Sequence, residues 1–71
     1  MLDETDIGSR VVVRRHAGIR DGRPVFRDVL GVLTAASALE LTLLTRDGDE
    51  VTVPVAEIHR AKRIPPSPPR R

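Results

Sequence analysis

Apolar positions along the chain recur mostly with period two, the repeat of a strand, rather than the 3.6 of a helix. Arg10–Arg15 reads as a first strand, with Val11, Val12 and Val13 supplying β-branched side chains suited to a pleated surface. His16 to Pro24 reads as a polar loop, because Gly18, Asp21-Gly22 and Pro24 favour turns or fix φ. A second strand is expected from about Val25 to Thr34. Its apolar residues Phe26, Val29, Leu30, Val32 and Leu33 fall on both faces, and Gly31 in its middle suggests a bulge or bend. Ala35–Ala38 is a short turn. Leu39–Arg46 alternates into a third strand, with Leu39, Leu41 and Leu43 on one face. Asp47-Gly48 closes a hairpin into Glu50–Pro54, where Val51 and Val53 share a face. Val55–His59 suits one helical or 3-10 turn, and Arg60–Ile64 is a last short strand. Pro65, Pro66, Pro68 and Pro69 then form an extended, polyproline-like exit.

Five short strands, a long first loop, a central hairpin and one turn of helix before the last strand describe an all-β domain. The spacing fits a small five-stranded SH3-like barrel better than an open meander or an OB-type barrel. Residues 1–7 form an acidic lead-in with no regular structure expected, 8–64 the barrel, and 65–71 a proline/arginine-rich tail or linker. Seventy-one residues accommodate one domain. With no cysteine there is no disulfide, and with Phe26 the only Phe, Tyr or Trp, the core must be aliphatic.

Charge narrows the functional classes. The net charge is only +2, but it is polarised: Asp3, Glu4 and Asp6 lie at the front, and Arg60, Lys62, Arg63, Arg70 and Arg71 at the back. No apolar run approaches the roughly 20 residues of a membrane span, and the acidic start does not resemble a secretory signal. A cytoplasmic protein with no membrane partner is expected. Without Trp or Tyr, neither a polyproline-binding groove nor a methyl-lysine cage can be built, and base stacking on aromatic platforms is weakened.

Enzyme readings find little support. His16 and His59 are far apart in sequence and read as surface residues rather than metal ligands. Ser9, Ser37 and Ser67 lie near turns or in the tail, outside any nucleophile-elbow context. Asp47, Asp49 and Glu50 crowd one hairpin but begin no calcium-loop pattern. Arg15 to Arg20 faintly echoes a coenzyme A pyrophosphate loop, yet Arg20 stands where a small residue is needed and no helix follows. No catalytic residue, cofactor or metal site is assigned.

The residues taken in order carry a resemblance. Gly8–Arg15 (GSRVVVRR) is followed by Asp28–Leu33 (DVLGVL), then Leu41–Gly48 (LTLLTRDG), Val51–Pro54 (VTVP) and Ala61–Pro66 (AKRIPP). This series resembles the SH3-like domain at the N-terminus of actinobacterial GNAT-family N-acetyltransferases, the mycobacterial histone acetyltransferase-like group, over about Ile7 to Pro69. The resemblance implies a barrel that precedes a catalytic domain through a proline-rich connector. The chain ends where that domain would begin, so no acetyl-CoA-binding or acyl-transfer residue carries over.

The leading expectation is therefore a non-catalytic accessory or interaction module associated with such an acetyltransferase, in cis or as a separate chain. Its contacts are expected at Arg60, Lys62, Arg63, Arg70 and Arg71, and on the first loop at Arg20 and Arg23. The alternative is a basic nucleic-acid-binding barrel of KOW type, whose face would use Arg10, Arg14, Arg15 and Arg27 together with Arg20 and Arg23. An exposed edge strand makes a homodimer a further expectation.

Overall fold

A computed structural model describes residues 1–65. Beyond Pro65, the expected polyproline-like exit, with Arg70 and Arg71, falls outside the described residues. Five strands form one antiparallel sheet: β1 (Arg10–Arg20), β2 (Arg23–Ala36), β3 (Glu40–Leu44), β4 (Glu50–Pro54) and β5 (Ile58–Arg63). Their order is β4-β3-β2-β1-β5, so β5 returns to pair with β1 after a four-strand meander. The all-β, five-stranded domain expected from the sequence is the one observed, with a 3-10 turn at Val55–Glu57 before the last strand. Among the described residues no ladder joins β4 to β5, which are the two edges of the sheet.

Several expectations change. The polar loop from His16 to Pro24 does not exist: β1 and β2 run on to Arg20 and Arg23 and are joined by Asp21-Gly22 alone. Both turn residues have positive φ, 52° and 74°, the geometry whose twist matches that of paired strands. Gly18, at φ 122°, falls where the register slips between His16 and Gly18, and absorbs a bulge. Pro24 is tolerated because this part of β2 pairs with β1 only.

The acidic lead-in is also structured. Asp3 caps a 3-10 turn at Glu4–Asp6: its carboxylate accepts from the Thr5 amide, while Asp6 accepts from the Asp3 amide, a reciprocal capping box. This turn brings Leu2 into the core at 8% exposure.

The core follows from strand alternation. Val11 and Val13 of β1, Leu33 of β2, Leu41 and Leu43 of β3 and Val53 of β4 are all fully buried in one cluster, with Ile58 and Ala61 of β5 packed against it. Each such aliphatic side chain contributes about 1.5–3 kcal/mol on burial. Leu39, expected to share this face, precedes β3 and is 80% exposed.

Strands at opposite ends of the sheet reach a common core because β2 belongs to two ladders. Arg23 to Val32 pair with β1, and Val32 to Ala36 pair with β3. At the changeover β3 comes so close that a Cβ built on Gly31 would lie 2.5 Å from the Leu44 carbonyl oxygen. The bulge itself lies further on, between Leu33 and Ala35. Glycine is thus required at residue 31 for a backbone–backbone approach, although its φ is unremarkable. Gly31→Ala is expected to lower stability by about 1–3 kcal/mol, since backbone rather than a side-chain tip must move. Urea denaturation checks this; an unchanged midpoint would mean that the approach is not tight.

Candidate functional site

The alternation that sends Val11 and Val13 inward turns Arg10, Val12, Arg14 and His16 outward, and the register aligns them with neighbours on both sides. Arg10 is opposite Val32. Val12 lies between Leu30 and Lys62, Arg14 between Asp28 and Arg60, and His16 beside Phe26. The outer face of β2–β1–β5 therefore carries three zones in sequence. At one end is an apolar strip of Val12, Leu30 and Val32, continued by Leu44 opposite Val32 on β3. Leu30 is 50% and Leu44 39% exposed. In the middle is a charged row lining a shallow groove of about 310 Å³ over Val12, Arg14, Asp28, Arg60 and Lys62.

At the other end are rings. His16 and Phe26 centroids lie 4.8 Å apart, Phe26 and His59 4.6 Å, and the two histidines 5.7 Å. His59 reaches this cluster through an irregularity in the β1–β5 ladder. Arg14 pairs with Arg60 but Arg15 with Ile58, leaving His59 as the extra residue of β5. The chain's two imidazoles and its one phenyl ring thus meet on a single surface, with both histidines exposed and Phe26 half-buried.

Ion pairs decide which charges are available. Arg14 binds Asp28 with two hydrogen bonds, Nε to Oδ1 at 2.9 Å and Nη2 to Oδ2 at 3.3 Å. The hydrogen bond from Arg14 holds the Asp28 carboxyl below the usual carboxylate value, and the reciprocal contact raises Arg14. Arg15 donates to Glu57 at 2.5 Å, and Arg63 to Asp6 at 2.6 Å. Asp6 is held low first by the Asp3 amide and then by Arg63; Asp3 is held low by the Thr5 hydroxyl and amide. Among the described residues, Arg60 and Lys62 enter no ion pair.

The cations expected to act together are dispersed by this geometry. Arg60 and Lys62 share the outer face, but Arg63 is committed to Asp6 and ties the start of the chain to β5. Arg20 and Arg23 face each other at the exposed tip of the β1–β2 hairpin. Of the alternative set, Arg10 and Arg14 lie on the outer face. Arg15 and Arg27, opposite each other, instead line a separate groove with Glu57 and Val29.

The ring cluster was not expected. Its sequence signal is the Asp21-Gly22 hairpin, which brings residue 16 near residues 26 and 27, but the bulge at Gly18 decides between them. Among the described residues no three His, Cys, Asp or Glu side chains are close enough to hold a metal ion, and no helix is long and apolar enough to cross a membrane. The face combines exposed apolar area, ring surfaces and two cations, Arg60 and Lys62, that are unpaired among the described residues. The chain matches no protein-family model, no curated protein and no solved structure.

The lowered carboxyls set a pH dependence. A carboxyl held low in the folded state contributes stability that is complete above its unfolded value and is lost as pH falls through the folded one. Urea midpoints of the parent are therefore expected to drop below about pH 4. Asp6→Asn, which removes one such group, is expected to start lower at neutral pH and to fall less on acidification. Parallel acid limbs for the two proteins would show that Asp6 carries none of this dependence.

Proposed function

We propose that this chain is a non-catalytic, cytoplasmic interaction module of SH3-like type that docks on a GNAT-family N-acetyltransferase domain. The observation that carries the docking surface is the strip of Val12, Leu30, Val32 and Leu44, lying on the sheet face opposite the core. Exposed apolar area of this kind, bordered by charge, is typical of protein-binding surfaces. Its border is cationic: Arg10 opposite Val32, Lys62 beside Val12, and Arg46 in the loop just after Leu44. The complementary partner presents an apolar patch with an acidic rim. That the partner is an acetyltransferase rests on the ordered series from Gly8 to Pro66, which resembles the domain preceding such enzymes.

Isothermal titration of the chain with the acetyltransferase domains encoded in its own genome tests the reading. Specific binding is expected, and Leu30→Glu is expected to weaken it by at least about tenfold, the loss of about 1.4 kcal/mol of a central contact. Leu30 is half exposed, so the variant should keep the parental circular dichroism spectrum. Absence of binding by any such domain, or self-association of the chain through the same strip, would overturn the proposal.

A further inference from the structure

The ring cluster lies at the opposite end of the outer face from the strip, and the docking proposal does not use it. We propose that His16, Phe26 and His59, together with Arg60 and Lys62, form a binding platform for single-stranded nucleic acid.

Every imidazole and phenyl group in the chain is in this one cluster, drawn from three strands, and none of them enters the aliphatic core. The rings are tilted against one another, at 50° for His16–Phe26 and 41° for Phe26–His59, with His16 and His59 edge-on at 85°. Both histidines are exposed and Phe26 is half-buried, so ring surface is open to solvent. Such surfaces accept planar π-systems without regard to base identity.

Charge selects the ligand. Arg60 follows His59 directly, and Lys62 lies two residues further along the same face of β5, about 6.5–7 Å away. Neither enters an ion pair among the described residues. The single carboxylate in the row, Asp28, is neutralised by bidentate contact with Arg14. The face thus pairs a ring platform with a line of uncompensated cations. A neutral planar ligand would leave the cations unused, and a phosphate alone would leave the rings unused. A strand of unpaired nucleotides uses both. A duplex hides its base faces and reaches only the cations.

The test is fluorescence anisotropy with the whole chain and labelled oligonucleotides of about ten residues at roughly 50 mM salt. Oligo(U), oligo(dT) and a duplex of the same length are compared. Both single strands, or one of them, are expected to bind at least about tenfold more tightly than the duplex. Preference for oligo(U) would identify RNA as the source of the strand, and preference for oligo(dT) would identify DNA.

His16→Ala and His59→Ala, at exposed positions, are each expected to weaken binding about 5- to 150-fold, the effect of one lost stacking contact. Phe26→Leu keeps an apolar group of similar size at the half-buried position and should show the same loss in a folded protein. Arg60→Gln and Lys62→Gln are each expected to flatten the dependence of log K on log salt by about 0.7. Leu30→Asn, in the docking strip, is expected to bind nucleic acid like the parent, which separates the ring platform from the apolar strip, although Lys62 borders both. Equal affinity for duplex and single strand, ring variants that bind like the parent, or no binding to any oligonucleotide would overturn the proposal.

Discussion

The fold depends on one close backbone approach, that of the Leu44 carbonyl to Gly31. A flat five-stranded sheet of this length would present each inward side chain to solvent, because the described residues include no α-helix to lay across it. The sheet must therefore cover itself. It does so by giving β2 two partners in succession, β1 for most of its length and β3 for its end, so that Leu41, Leu43 and Val53 meet Val11 and Val13. Any side chain at residue 31 would hold β3 away from that changeover. An aliphatic core this small has little reserve against such a displacement.

The charged residues secure what the small core leaves loose. Arg63 reaches Asp6 across 57 positions of sequence, and Asp6 in turn accepts the Asp3 amide that shapes the turn delivering Leu2 to the core. Exposed pairs of this kind each contribute little. Their effect here is to place an apolar residue rather than to add a large electrostatic term. The polarised charge of the sequence, acidic at the front and basic at the back, is thus partly a description of the lead-in meeting β5, through Asp6 and Arg63. Ion pairing withdraws Arg63, Arg14 and Arg15 from the pool of cations a ligand can reach, and of the cations on β5 it leaves Arg60 and Lys62 unpaired among the described residues.

Strand existence and most inward-facing positions were legible because the period-two signal is strong where one face is buried, as in Val11–Val13 and Leu41–Leu43. The hairpin tip was not. Gly18, Asp21-Gly22 and Pro24 are all turn-formers within seven positions, and the sequence does not say that only Asp21-Gly22 is the turn, with Gly18 a bulge and Pro24 inside β2. Asp3 and Asp6 form a legible capping box, but a three-residue 3-10 turn has no apolar period to announce it. The outer face was least legible of all. Its composition depends on register, and a slip of one residue at Gly18 or His59 exchanges which side chains share a surface. Arg10, Arg14, Arg15 and Arg27 look like one basic group in sequence; strand alternation divides them between two faces.

The placement of Phe26 connects stability to function. An aromatic ring is the most effective filler available to a small core, burying about 150–250 Å². This chain has one phenyl ring and builds its core from Val and Leu, with Phe26 on the opposite face between two histidines. The arrangement forgoes core stabilisation in a domain with little to spare. The rings do brace the start of the hairpin against β5, since His59 closes on both His16 and Phe26 across the sheet. Bracing alone would be served as well by aliphatic cross-strand pairs, which need no exposed imidazoles. A surface that gathers every ring in the chain beside two cations unpaired among the described residues is better explained by contact with something planar and anionic.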